Sequence, residues 1–284
     1  MTDGPDFFCI GAQKAGTTWL YGNLSEHPSI WLPPVKEIHY FDGWTNYAKM
    51  AGLLNDCIRR LLHEVKSVNR EYLDYLRRFV LDEPKDDTWY LSLFQNPHNR
   101  LSGDVTPAYA TLDEADVCRI HRLRPHAKII FIMRNPVDRS WSQFKNTIVW
   151  ENLDISGFGF DDFAGYLDSA SFVLRSRYTR TIRIWEQIYP PEQLLYLFYD
   201  DIVARPDRIL AAVCNFIGLD FDPAYFARTR HLVANRSVAL PLPADLRRHL
   251  ARSYVDEIRA LHARFGGPAK AWLEACERTL AETA

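Results

Sequence analysis

Near the N-terminus, residues 7–20 read FFCIGAQKAGTTWL, and the fold follows from them. The apolar run over 7–10 has the composition of a short strand that is buried on both faces. Gly11 and Gly16 then bracket a tight loop, and the residues from Thr17 onward predict a helix. A strand, a glycine loop and a helix N-terminus bring free N–H groups and the positive end of a helix dipole to one place. The stretch therefore predicts a phosphate-binding loop.

Three side chains strengthen this anion site. Lys14 supplies a positive charge, and Thr17 and Thr18 supply hydroxyl donors. The loop differs from the common nucleotide-binding loop, in which Lys-Ser/Thr directly follows the last glycine. Here two threonines follow Gly16 and the lysine lies inside the loop, so the magnesium chemistry of an ATPase is not indicated. The alternative is an ordinary strand-to-helix turn with a solvated lysine, which the fit of all these residues to one anion disfavours.

The composition is that of a globular chain with little net charge. The 284 residues suit one generous domain or two small ones, and a hydrophobic share of 47% is ample for a core. A formal net charge of −2 gives no electrostatic reason to expect nucleic acid or a polyanionic acceptor. Without a basic N-terminal region or an apolar window of about 18 residues, we expect neither a signal peptide nor a membrane span. The widely spaced cysteines favour reduced thiols in the cytoplasm.

A second candidate phosphate site follows the apolar strand predicted over 128–133. Arg134 comes directly after this strand, at the end where open α/β sheets bind ligands, and Pro136 suits the first turn of a helix. Ser142 lies two turns along that helix, so an arginine and a serine are available for one phosphate group. A nucleotide hydrolase carries an acidic residue at the position of Arg134, and this charge reversal argues against such an enzyme.

A candidate acid–base pair lies in residues 35–42, which read VKEIHYFD. If this piece is extended, Glu37 and His39 share one face. A carboxylate and an imidazole beside a phosphate site are suited to proton transfer. The spacing leaves open a second interpretation, a solvated turn in which Lys36 forms a salt bridge.

The rest of the chain predicts one α/β domain over 1–284. We expect a P-loop-like three-layer sandwich with a parallel sheet of about five strands and helices on both faces. Residues 43–100 predict a helical insertion that is a candidate acceptor wall, and 200–206 predict a turn. The polar, basic stretch over 228–243 predicts a long loop that can fold over an anionic ligand.

The motifs together resemble those of sulfotransferases that use 3′-phosphoadenosine 5′-phosphosulfate (PAPS). Residues 11–20 resemble the family's 5′-phosphosulfate loop, and 134–142 resemble its 3′-phosphate motif. Residues 36–42 resemble the catalytic segment of the heparan-sulfate-type branch. The resemblance covers nearly the whole chain and is weakest over 43–100.

The resemblance implies a role for each matching residue. Lys14 would contact the transferring sulfuryl group, Glu37 would be the general base, and His39 matches a histidine near the acceptor. The implied nucleotide-binding residues are Lys14, Ala15, Gly16, Thr17, Thr18, Trp19, Arg134, Ser142, Asn235, Arg236 and Ser237.

Two positions depart from the family pattern. Residues 235–237 read NRS where relatives carry a basic, glycine-containing loop over the 3′-phosphate. Val105 stands where the heparan-sulfate-type branch often has an acceptor-binding lysine, which argues against a sulfated polysaccharide as acceptor.

The expected activity is sulfuryl transfer from PAPS to a hydroxyl, or less favourably an amine, with PAP as the product and no metal ion. A small molecule, a lipid or a glycan could be the acceptor, and the sequence fixes neither this choice nor the oligomeric state. The alternatives are a nucleotide kinase of the same general fold and a non-catalytic nucleotide-binding protein.

Overall fold

A five-stranded parallel sheet forms the centre of the molecule. The computed structural model describes residues 4–43, 70–82, 84–95, 98–232 and 238–282. The strands lie in the order β2-β3-β1-β4-β5, and every paired neighbour is parallel. Their bounds are β1 Phe7–Gly11, β2 Ile30–Trp31, β3 Leu101–Val105, β4 Lys128–Met133 and β5 Leu194–Phe198. The predicted parallel sheet of five strands is confirmed.

The helices alternate with the strands along much of the chain. Those in the described residues are α1 Thr17–Leu24, α2 Arg70–Leu81, α3 Asp87–Ser92, α4 Glu114–Leu123, α5 Pro136–Glu151, α6 Phe160–Leu167, α7 Ala170–Leu174, α8 Tyr178–Ile188, α9 Tyr199–Ala204, α10 Pro206–Phe216, α11 Ala244–Phe265 and α12 Gly267–Ala281. Short 3-10 helices span Pro107–Thr111 and Pro191–Gln193. None of these α-helices is long and apolar enough to cross a membrane.

The central strand β1 is covered on both faces. Phe7, Phe8 and Cys9 have no exposed surface, and Ile10 is 1% exposed. Successive side chains of a strand point to opposite faces, so burial of all four requires packing on each side of the sheet. The close fit continues at Gly103 on β3, where an added Cβ would lie 2.2 Å from the Phe7 ring.

The connections after β1 and β4 run in opposite directions and define the site. From β1 the chain passes through α1 to β2, at one edge of the sheet. From β4 it passes through the helices that begin with α5 to β5, at the opposite edge. Such a divergence leaves a crevice at the carboxyl ends of the two strands. The glycine loop and Arg134 both lie at this edge.

The insertion expected over 43–100 is helical where it is described. Helix α2 covers the sheet edge, since the Tyr75 ring packs 5.9 Å from the Trp31 ring of β2. Residues 44–69 lie outside the described residues. The turn predicted at 200–206 is wrong, because α9 begins directly after β5 and α10 begins at Pro206.

Candidate active site

A cavity of about 330 Å³ opens at the carboxyl ends of β1 and β4. Its walls include Lys14, Glu37, Arg134 and Ser142. Three separate motifs, predicted independently from the sequence, therefore contribute side chains to one cavity.

The N-terminus of α1 faces this cavity without a capping side chain. Gly16 occupies the N-cap position with φ of 99°, and no acidic residue lies in the first turn of α1. By contrast, Asp86 and Asp113 cap α3 and α4 through their carboxylates. A Cβ at Gly16 would also come within 3.2 Å of Ile202 and Tyr199. The positive end of α1 is thus open to a bound anion rather than to a side chain of the protein.

Two cations converge on the loop that precedes α1. The Lys14 Nζ donates a hydrogen bond of 3.1 Å to Asn146 Oδ1, and Arg134 Nη1 donates one of 3.0 Å to the Lys14 carbonyl oxygen. Burial, and then the charge of Arg134, lowers the pKa of Lys14. Within the described part of the chain, no carboxylate forms an ion pair with either residue. Two closely spaced cations in one cavity suit an anionic ligand.

Arg134 is held in place from two sides. Its guanidinium carbon lies 4.6 Å from the centre of the Tyr199 ring, a cation–π contact. The Tyr178 hydroxyl donates a 2.9 Å hydrogen bond to the Arg134 carbonyl oxygen. Sequence reasoning did not select Tyr199, although its place directly after β5 puts it at the ligand-binding edge of the sheet.

The segment with the candidate acid–base pair is not extended, so the condition under which Glu37 and His39 would share one face of a strand is not met. Glu37 and His39 have φ of 67° and 59°, in the left-handed region. Such a conformation costs about 1–3 kcal/mol for each non-glycine residue and persists where the surroundings enforce it. The turn nevertheless brings the two side chains together, with 3.6 Å between His39 Nε2 and Glu37 Oε2.

Both partners of this pair are charged at neutral pH. Burial alone would raise the pKa of Glu37, but the Lys36 charge and hydrogen bonds from His39 and Lys36 outweigh it and lower the pKa to about 2. Burial alone would lower the pKa of His39, but Asp42, at 2.6 Å, and Glu37 outweigh it and raise the pKa to about 9. Lys36 contacts Glu37 directly, so the salt bridge of the second interpretation is present beside the contact between Glu37 and His39.

The remaining predicted site residues differ in their surroundings. Thr17, Thr18 and Trp19 line the cavity, whereas His39 is absent from the described lining and contacts Glu37. The structure differs at Ala15, which is fully buried and donates its N–H to the Ala12 carbonyl at 3.1 Å. That bond closes the loop's own turn, so this N–H is not directed at a ligand.

The basic loop expected over 228–243 reaches the cavity through its first part. Arg230 and His231 line the cavity, and Trp19 Nε1 donates a 2.9 Å hydrogen bond to the Arg230 carbonyl oxygen. Asn235, Arg236 and Ser237 lie outside the described residues.

One face of α5 supplies residues that sequence reasoning missed. Asn146 and Trp150 line the cavity with Ser142, and Trp150 is 71% exposed. Residues four apart lie on the same face of a helix. The spacing from Ser142 was therefore the available signal for both.

The comparisons with known proteins agree with this geometry. A model of the sulfotransferase family matches residues 5–223. The chain belongs to the sulfotransferase family. Human bifunctional heparan sulfate N-deacetylase/N-sulfotransferase 3 is 26% identical over 303 residues, covering 95% of this chain and 31% of that protein. Rat carbohydrate sulfotransferase 15 is 26% identical over 154 residues, covering 49% of this chain and 27% of that protein. The chain thus spans less than a third of the length of these curated relatives.

Solved structures of sulfotransferases share the fold. The sulfotransferase from Alicyclobacillus acidocaldarius superposes with a TM-score of 0.64 at 20% identity, covering 94% of this chain and 98% of that one. Mouse sulfotransferase SULT7A1 complexed with PAP gives 0.54 at 16% identity, covering 96% and 89%. The predicted family and P-loop-like α/β fold are confirmed, and the family match does not favour the nucleotide kinase alternative.

Proposed function

We propose that this sulfotransferase family member transfers a sulfuryl group from PAPS to an acceptor hydroxyl, with Glu37 as general base. The observation that carries the proposal is the shared cavity, in which Lys14, Glu37 and Arg134 meet at the open N-terminus of α1. Membership of the sulfotransferase family supports the same activity.

The charge pattern of the cavity fits a nucleotide with phosphate at two positions. The N-terminus of α1, with the Thr17 and Thr18 hydroxyls, would hold the 5′-phosphate. Arg134 and Ser142, which line the same cavity, would hold the 3′-phosphate. Mouse SULT7A1, which shares the fold and was solved in complex with PAP, supports PAP as the nucleotide.

The proposed chemistry needs charge stabilisation and one proton transfer. PAPS supplies the sulfuryl group and leaves as PAP once the acceptor oxygen has bonded to sulfur and the bond to the 5′-phosphate has broken. Lys14 would stabilise the electron pair left on the phosphate oxygen, and Glu37 would accept the acceptor's proton. Because the leaving group is already good, this route requires no metal ion.

The ionisation of Glu37 determines how the proton moves. A pKa of about 2 keeps the carboxylate deprotonated at neutral pH, but makes it a weak base. The proton would therefore transfer while the acceptor oxygen attacks, when the hydroxyl has become acidic. Contacts from Lys36 and His39 would orient the carboxylate for this step.

We further propose a hydroxyl-bearing small molecule, lipid or glycan as acceptor, with an amine as the second choice. The names of the relatives include a carbohydrate sulfotransferase and an N-sulfotransferase, which support a glycan and an amine respectively. Val105 and the net charge of −2 disfavour a polyanionic acceptor. A cytoplasmic location is supported by the four described cysteines, which are free thiols.

Two measurements test the proposal. Thermal shifts with PAP, ATP and buffer separate the donor classes, and we expect PAP to stabilise the protein most. Incubation with PAPS and a panel of alcohols, sugars and amines should release PAP and add one SO₃ group to a product seen by mass spectrometry. Stronger stabilisation by ATP would favour the kinase alternative, and PAP binding without turnover across the panel would favour a non-catalytic binder.

A further inference from the structure

A buried carboxylate lies behind the segment that carries Glu37. Asp104, on β3, is 1% exposed. It accepts hydrogen bonds from the hydroxyls of Thr106 at 2.6 Å, Tyr90 at 2.8 Å and Tyr109 at 3.1 Å. Neither the fold nor the proposed proton transfer has so far given this cluster a role.

Two of the three hydroxyls also reach the backbone around Glu37. The Ile38 N–H donates to Thr106 Oγ1 at 3.1 Å, and the Tyr40 N–H donates to the Tyr109 hydroxyl oxygen at 3.1 Å. These amides flank His39, and Ile38 directly follows Glu37. The two hydroxyls therefore bridge Asp104 to a turn in which Glu37 and His39 both have left-handed backbone angles.

The chemistry of a hydroxyl makes each bridge directional. A hydroxyl has one hydrogen to donate and lone pairs with which to accept. When its oxygen accepts a backbone N–H and its hydrogen points to Asp104, its orientation is fixed at both ends. A residue in the left-handed region needs such enforcement from its surroundings.

We propose that Asp104 is a positioning residue, which acts through Thr106 and Tyr109 to hold the 37–40 turn so that the Glu37 carboxylate faces the cavity. This inference rests on the proposed function, because it takes Glu37 as the proton acceptor. The competing view is that Asp104 satisfies buried hydroxyls and has no bearing on Glu37.

A matched pair of tyrosines separates the two views. Tyr90 and Tyr109 are both fully buried and both donate to Asp104, but Tyr109 alone of the two accepts the Tyr40 N–H. Tyr109→Phe should lower kcat about 10- to 100-fold, the range that a small misplacement of a catalytic group can cause. Tyr90→Phe should keep kcat within about threefold of the wild-type value. It should lower the melting temperature as much as Tyr109→Phe does, because each variant loses one hydrogen bond to Asp104.

Thr106 offers a second, conservative series. Thr106→Val removes the hydroxyl at nearly constant volume and should lower kcat as Tyr109→Phe does, whereas Thr106→Ser keeps the hydroxyl and should restore it. The KM for PAPS and the affinity for PAP should stay near the wild-type values in all of these variants. Equal kcat values for Tyr109→Phe and Tyr90→Phe, or no rescue by serine, would overturn the inference.

Amide hydrogen exchange tests the anchoring without any turnover. In wild-type protein the Ile38 and Tyr40 amides should be protected. Thr106→Val should speed exchange at Ile38, Tyr109→Phe should speed it at Tyr40, and Tyr90→Phe should change neither. Unchanged protection would overturn the inference even in an active enzyme. The selective pattern in a protein that transfers no sulfuryl group would support the anchoring and reject the proposed function.

Discussion

Arg134 Nη1 donates a 3.0 Å hydrogen bond to the carbonyl oxygen of Lys14. The side chain that follows β4 thus binds the backbone of the loop after β1. A direct hydrogen bond therefore connects the two candidate phosphate sites. Arg134 has further donors, since this bond uses one N–H of a guanidinium that carries five. A change at Arg134 should therefore affect both sites, but unequally.

Arg134→Ala should weaken PAP binding far more than binding of adenosine 5′-phosphate, which lacks the 3′-phosphate. We expect a loss of about 10- to 100-fold for PAP, in line with one charged hydrogen-bonding partner. Titration calorimetry with both ligands measures the difference. Ser142→Ala, which leaves the bond to Lys14 intact, serves as the control and should weaken only PAP binding. Equal losses for the two ligands in Arg134→Ala would contradict the assignment.

Glu37→Gln should abolish most turnover and leave nucleotide binding nearly unchanged. The amide retains the shape of the side chain but cannot accept the acceptor's proton, so kcat should fall about 10²- to 10⁴-fold. Steady-state kinetics with PAPS and calorimetry with PAP separate the two effects. Glu192→Gln, the same change at an exposed residue, should behave as wild type. Turnover at the wild-type rate in Glu37→Gln would remove Glu37 from the base role.

Local patterns predicted the frame of the site. The β1 loop and the Arg134 motif each join a buried strand to a helix start, and the chain direction alone puts such junctions at one edge of a parallel sheet. The conformation of the Glu37 segment could not be predicted in this way. It depends on hydroxyls at Thr106 and Tyr109, far away in sequence, and on their common acceptor Asp104.

The contact between Tyr199 and Arg134 could not be predicted for the same reason. Tyr199 begins α9 directly before Asp200 and Asp201, for which the sequence predicts a turn. Its contact with Arg134 arises because β5 lies beside β4 in the sheet, which is a property of the strand order. Single-sequence patterns give strand positions but not the order in which strands pair.

Tyr199→Leu should weaken PAP binding by loosening Arg134. The guanidinium lies over the Tyr199 ring, and removing such a contact costs about 0.5–1 kcal/mol at a partly exposed site. We therefore expect a rise in the Kd for PAP of about two- to fivefold. Tyr199→Phe keeps the ring and should bind PAP as wild type does. A loss of the same size in both variants would assign the effect to the hydroxyl rather than to the ring.

The charged state of His39 should make stability depend on pH. Its pKa rises from 6.5 to about 9 in the folded protein, because the carboxylates of Asp42 and Glu37 outweigh its burial. A raised folded pKa stabilises the fold fully below pH 6.5 and loses that stabilisation as the pH rises through about 9.

His39→Gln should therefore destabilise the protein more below pH 6.5 than above pH 9. The difference should be on the order of 3 kcal/mol if the whole shift is realised, since one pKa unit corresponds to about 1.4 kcal/mol. Urea unfolding of wild type and variant at both pH values measures it, and the subtraction removes groups that titrate in both proteins. His249→Gln is the control, because its partner Asp168 is half exposed and solvent weakens the pair. If the free-energy difference between wild type and His39→Gln is the same at both pH values, His39 is not held in its protonated form by these carboxylates.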